Sequence, residues 1–202
     1  MPTFSQKAVE LFDKTVVYDG CFQIVRCRVR HTLFAGGWSK EIVCEVFERG
    51  HAASVLPYDP IRDEVVLVEQ FRIAAIDAGN DAWLWEPIAG TIEPNESPVD
   101  LVHREAQEEA GCVVADLIPI HHFYVSPAST TETMTLFCGR VDTTKIGGIH
   151  GLIEENEDIQ VHIVSFKTAL KMLDTGKIHS ATPIIALQWL ALHRDEVKQR
   201  WA

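Results

Sequence analysis

Four glutamates and one arginine stand at short, fixed offsets in the middle of this chain. Glu96, Arg104, Glu105, Glu108 and Glu109 fall between two glycines, Gly90 and Gly111. On a helix, Glu105 and Glu109 share a face, and Glu108 is adjacent to both. Carboxylates crowded on one turn repel each other at neutral pH. A hard divalent cation relieves that repulsion, because Mg²⁺ takes oxygen ligands and is often shared with substrate phosphates. Arg104 sits four residues before Glu108 and can also reach back to Glu96. The competing reading is a solvated, charged helix face, the usual meaning of a charge run. A solvated face needs no glycine, glutamate and arginine at fixed positions upstream.

These residues need a helix to present them, and the local signals define one over 98–110. Ser97 is a good N-cap, Pro98 suits the first helical position, and Asp100 completes a capping box with Ser97. Gly111 suits the left-handed residue after a helix end. Val99, Val102, Ala106 and Ala110 are expected on the side that packs against a core.

From Gly90 to Cys112 the segment resembles the box of the Nudix hydrolases. That box is a Gly, five residues, a Glu, seven residues, Arg-Glu, an apolar residue, any residue, Glu-Glu, any residue, Gly and an apolar residue. Gly90, Glu96, Arg104, Glu105, Glu108, Glu109 and Gly111 match every fixed position, and Ala106 and Cys112 fill the apolar ones. The resemblance implies an α/β fold, an α/β/α sandwich with a mixed sheet. It also implies hydrolysis of a nucleoside diphosphate linked to another group, with two or three Mg²⁺ ions or Mn²⁺ in their place.

The rest of the chain is most similar to the ADP-ribose pyrophosphatase branch. The stretches that carry the similarity are 47–53, 67–72, 86–90, Ser126-Pro127 and 155–158, besides the box. By that similarity the Ala89 carbonyl ligates metal beside Glu105 and Glu109. Glu157 reaches a metal from a mobile loop, and Glu155 is a candidate base. Arg72 contacts the substrate phosphates, while Arg49, Ser126 and Glu132 are further substrate candidates and Arg104 supports the catalytic carboxylates. Such proteins carry an N-terminal β-extension that makes much of a homodimer interface. Two features depart from the branch. Cys21 and Cys44 occupy the positions of an aromatic ring and an Arg that clamp the base, with Phe22 and Trp38 as nearby rings. Ala128-Ser129 replaces a usual Gly-Gly, which removes backbone freedom. The substrate expected is ADP-ribose, with another nucleoside diphosphate sugar such as GDP-mannose as the alternative. A non-catalytic nucleotide-sensing module would be expected to have lost a box carboxylate, and this chain keeps them all.

Length 202 and a 47% hydrophobic, 23% charged composition fit one large globular domain with an extension, divided here as residues 1–50 and 51–202. A net charge of −11 argues against a nucleic-acid partner, which needs a basic footprint. It leaves room for a phosphorylated small substrate, since a bound metal supplies positive charge locally. Five cysteines without CxxC spacing suggest reduced thiols in a cytoplasmic protein. The first residues hold no apolar signal core, and no run is long enough to span a bilayer, so no membrane role is expected. No catalytic-serine or Cys/His nucleophile pattern is present.

Strands are expected at 16–18, 21–34, 41–48, 52–57, 64–70, 83–88, 117–125, 133–141 and 159–164. Residues 71–81 and 142–157 read as loops. Helices are expected at 166–175 and 182–197, the last with Ile184, Ile185, Leu187, Trp189, Leu190 and Leu192 in the core. In an extended segment Glu155 and Glu157 would point to one side, and Gly147, Gly148 and Gly151 would let that loop close. A loop of this length is uncommon unless functional or disordered, and a merely solvated acidic loop stays open as an alternative.

Overall fold

Alternation along one central strand sets the layers. In the strand β5 (Glu64–Phe71), Val66 and Val68 face one apolar cluster, and Val65 and Leu67 face another. A sheet whose two faces are both apolar must be covered on both sides. The computed structural model describes residues 8–76 and 81–202, with the backbone alone at Glu155. Residues 77–80 of the expected 71–81 loop lie outside the described residues.

Two compact units are present: the described residues up to His51 with Tyr124–Thr133, and Ala52–Phe123 with Met134–Ala202. The first holds a three-stranded antiparallel sheet of β1 (Val9–Asp19), β2 (Gln23–His31) and β3 (Ile42–Glu48). β1 is longer than the short strand expected at 16–18. Its alternation is blurred by register shifts at Leu11/Asp13 and Val16/Tyr18, where side chains change face.

The second unit is built on β4 (Ala52–Asp59), buried along its whole length. β4 pairs parallel with β9 (Thr133–Arg140) and antiparallel with β5. The remaining strands are β6 (Trp83–Glu86) on β5, β7 (Ile88–Thr91) on β4, β8 (Leu117–Tyr124) on β9, and β11 (Ile159–Ser165) on β5. β10 (Gly148–His150) pairs with β11 inside the stretch expected to be one long loop. The expected strand 83–88 is two strands. Pro87 cannot donate to a ladder, and around it the chain changes partner from β5 to β4.

Helix α1 (Pro98–Ala110) covers one face, packing Leu101, Val102, Ala106 and Ala110 against Ala53, Val55, Val66, Val68 and Ile88. Helices α2 (Phe166–Asp174) and α3 (Ala181–Trp201) cover the other with Phe166, Ala169, Leu187 and Leu190. The unit is thus an α/β/α sandwich with a mixed sheet. Two expected core residues are corrected: Val99 is exposed, and Leu101 takes its place; Leu192 is exposed at 82%. Leu192 lies two residues beyond Leu190, a step that crosses to the other side of a helix. α3 runs four residues past the expected end, because Val197 and Trp201 are buried.

Candidate active site

The loop before α1 and the two ends of that helix fold as their sequence requires. The Asp100 N–H donates to the Ser97 hydroxyl at 3.1 Å. The capping box is modified, since the Ser97 hydroxyl donates to the Asp100 carboxylate at 2.6 Å. At the far end Gly111 adopts φ 58 and its N–H donates to the Gln107 carbonyl at 3.0 Å. A left-handed residue there stops the helix at Ala110, one residue after Glu109.

Arg104 gathers three of the four box carboxylates. Its guanidinium donates to Glu96 at 2.9 and 3.1 Å, to Glu105 at 2.9 Å and to Glu108 at 3.0 Å. The fork thereby ties the loop to the helix and neutralises part of its charge. Glu96 is held below the ordinary glutamate range by the Arg104 hydrogen bonds.

Glu109 is the odd one out. It is buried at 2% exposure, and among the described residues no cation pairs with it directly. It accepts from the Ala89 N–H at 3.0 Å and from the Gln70 side-chain amide at 3.4 Å. The carboxylate of Glu105 lies against the backbone of β7. A Cβ at Gly90 would overlap it, so the close approach itself requires glycine there. Burial raises the pKa of Glu105 to about 7 and that of Glu109 to about 8. Each is also raised by neighbouring negative charge, Glu105 by Glu108 and Glu157, and Glu109 by Glu105.

This donor set suits a hard divalent cation. Burial holds the partly buried Glu105 and the buried Glu109 above the normal carboxylate range, and the missing Cβ at Gly90 lets the Glu105 carboxylate sit against the β7 backbone. Among the described residues no three His, Cys, Asp or Glu side chains are grouped to hold an ion by themselves. Mg²⁺ needs no such cage; it is usually held by one or two carboxylates and completed by water and phosphate oxygens.

The remaining expected residues divide between the two units. Arg72 pairs with Glu86 at 2.8 Å and its charge lowers the pKa of Glu109. Glu157 belongs to the same unit, and its Oε2 accepts from the Leu152 N–H at 3.2 Å. The segment expected to be extended here is a 3-10 turn over Ile153–Glu155, ended by Asn156 at φ 55. The side chain of Glu155 lies outside the described residues. In the first unit, Arg49 lies 3.5 Å from the buried Glu132 and over the Phe22 ring, 5.7 Å from its centroid. Ser126 is exposed and its hydroxyl is 3.5 Å from that of Ser129. Trp38 is covered by Arg30 at 4.7 Å, and Cys44 stands opposite Cys27 across the β2–β3 ladder.

Sequence reasoning passed over Gln70, Glu86 and His150. Gln70 and Glu86 fall inside stretches that carried the family similarity, but the contacts that single them out bridge 39 and 14 residues. Nothing local marks His150.

The raised carboxylates have a consequence for stability. In the unfolded chain Glu105 and Glu109 return to the ordinary range near 4.5. Between there and about 8 the folded state binds more protons than the unfolded one, so stability falls as pH rises. We expect melting in chelator to show a Tm that drops from about pH 5 to about pH 9, equivalent to about 1–3 kcal/mol. Added Mg²⁺ should recover most of the loss at the alkaline end. A Tm that is flat across that range in chelator would show that the pair carries no excess protons.

Comparison with known proteins agrees with this architecture. Residues 48–186 match the family model for the NUDIX domain. The chain is 49% identical over 200 residues to the ADP-ribose pyrophosphatase of Escherichia coli strain K12, covering 99% of this chain and 96% of that protein. It is 35% identical over 149 residues to the GDP-mannose pyrophosphatase of Enterobacter sp. strain 638, covering 73% and 77%. A crystal structure of an ADP compounds hydrolase superposes with a TM-score of 0.72 at 16% identity, over 99% of this chain and 98% of that one, which supports the fold. ADP-ribose pyrophosphatases of this family depend on divalent metal in general. A box complete at every fixed position, a helix that presents it against a glycine cradle, and full-length similarity lead to one assignment: the chain belongs to the NUDIX family.

Proposed function

We propose that this protein hydrolyses the diphosphate bond of ADP-ribose, giving AMP and ribose 5-phosphate, with Mg²⁺ as the metal. The observation that carries the reading is the pair Glu105 and Glu109, both raised by burial, with Glu105 set against the Gly90 backbone. Glu105, Glu109 and the Ala89 carbonyl would hold the metal, joined by Glu157, with two or three ions in all. Such an ion, when bound, supplies positive charge against diphosphate oxygens and makes water easier to deprotonate. Arg104 fixes the rotamer of Glu105 and spreads its charge over Glu96 and Glu108. Arg72, a half-exposed side chain paired with Glu86, would exchange that partner for a phosphate. Arg49, Glu132 and Ser126 would serve substrate binding in the first unit, and Phe22 offers Arg49's neighbour ring to a base. Glu155 would take a proton from the attacking water.

The test is a hydrolysis screen of nucleoside diphosphate sugars with Mg²⁺ or Mn²⁺, products identified by mass. AMP and ribose 5-phosphate from ADP-ribose, at the highest kcat/KM of the panel, is the expected result. Faster turnover of GDP-mannose would replace the substrate assignment. That second reading is favoured by one observation: Cys21 and Cys44 are not groups that clamp an adenine.

The first 50 residues would serve as a dimerisation extension of a hydrolase domain over 51–202. The three-stranded sheet supports this, since a sheet that small is marginal alone and leaves Val9, Leu11, Phe12, Val16, Tyr18 and Val43 exposed. Sedimentation at micromolar concentration should show a dimer, and a monomer would remove the idea. Free thiols throughout and no described helix able to cross a membrane suit a cytoplasmic setting.

A further inference from the structure

The last turn of a helix leaves carbonyls without intrahelical donors. At the end of α1 one of them is filled from a distant segment. The Gly151 N–H donates to the Glu108 carbonyl at 3.3 Å. The preceding residue, His150, lays its ring against Gly111; a Cβ there would come within 2.6 Å of the ring Cε1. Gly111 is therefore constrained twice, by its left-handed φ and by the ring that covers it. The ring is itself held, because its Nε2 donates to the Gly147 carbonyl at 3.0 Å. β10 supplies the rigid base, pairing His150 with Ile159 of β11.

The contact continues into Glu157. A Cβ on Gly151 would come within 2.7 Å of the Glu157 Cβ. The Glu157 N–H donates to the Leu152 carbonyl at 3.1 Å, and the Leu152 N–H returns a hydrogen bond to the Glu157 carboxylate at 3.2 Å. His150, Gly151, Leu152 and Glu157 thus form one contiguous packed unit, joined to α1 at Glu108 and Gly111. The same helix carries Glu105, whose pKa responds to the charge of Glu157.

We propose that His150 is a positioning residue, whose ring seated on Gly111 fixes the loop of Glu157 to the carboxylate helix. It touches neither substrate nor reacting atoms in this role. It sets the height of Glu157 relative to Glu105, which rests on the reading of Glu157 as an active-site carboxylate.

Three measurements on His150→Ala test it. Amide exchange at Gly151 and Glu157 should quicken, because their hydrogen bonds lose their anchor. Mn²⁺ affinity without substrate, read by electron paramagnetic resonance, should fall about 10-fold, the scale of losing a partner that orients a ligand. The kcat for ADP-ribose should fall by about the same factor with KM nearly unchanged. His150→Phe keeps the flat ring on Gly111 and should recover most of each loss. If the alanine variant fails to fold, His150→Gln, which keeps a donor for the Gly147 carbonyl without the ring, is read in its place. Unchanged exchange at Gly151 and Glu157 would overturn the proposal whatever Glu157 does. Faster exchange beside a Glu157→Gln variant with wild-type Mn²⁺ affinity and kcat would instead overturn the active-site reading of Glu157.

Discussion

Glu109→Gln should abolish nearly all hydrolysis while leaving the metal-free protein at least as stable above neutral pH. The two halves of this expectation have different causes. Activity depends on the negative charge, and removing one preorganised charge-stabilising group typically costs about 10²–10³ in kcat. Stability depends on the hydrogen bonds, which the amide preserves. Its oxygen can still accept from the Ala89 N–H, and its nitrogen can face a turned Gln70 amide. The carboxylate whose pKa burial raises to about 8 is gone, so the alkaline stability loss should shrink. Glu109→Ala would behave differently. It leaves the Ala89 N–H without its acceptor, a penalty of about 1–3 kcal/mol. Turnover of Glu109→Gln close to wild type at saturating Mg²⁺ would remove Glu109 from the ligand set.

The parts of this structure that could be read from sequence are those whose determinants are local. α1 begins and ends at the expected residues because Ser97, Pro98 and Gly111 act within a few positions of themselves. Its buried face was less legible. Val99 and Leu101 are both apolar, and which one faces the sheet depends on how the helix is rotated over Val66 and Val68, a tertiary fact. The break at Pro87 was not read in the expected 83–88 strand, and the change of partner from β5 to β4 needs the whole sheet. β10 is three residues long and starts at a glycine, so no periodicity could announce it.

The candidate site divides in the same way. The box named Arg104 and its carboxylates, and the structure brings Glu96, Glu105 and Glu108 onto that one guanidinium. The environment of Glu109 was not legible, since Ala89 and Gln70 reach it across 20 and 39 residues. Nor was the distinction between Glu105 and Glu109. On a helical wheel they are equivalent, yet one is paired with Arg104 and the other is buried with no ion pair among the described residues. That difference makes Glu109 the more informative position to change.

The loop carboxylates offer the second large effect. The turn over Ile153–Glu155 ends at Asn156, whose left-handed conformation reverses the chain just before Glu157. That reversal brings the Glu157 carboxylate back to the Leu152 N–H, a neutral donor it can leave. A carboxylate held by one backbone amide is poised to trade it for a stronger, charged partner. Loss of a general base costs about 10²–10⁴ in rate, and we expect Glu155→Gln to lower kcat within that range at every Mg²⁺ concentration. Glu157→Gln should lower kcat too, but raising Mg²⁺ should partly restore it, because a weakened site refills by mass action. The Mg²⁺ dependence of kcat for the two variants therefore assigns the roles. Rescue of Glu155→Gln alone would exchange them. Wild-type turnover by both would make the loop a solvated acidic surface, and the helix carboxylates would then have to work with water and Arg72 alone.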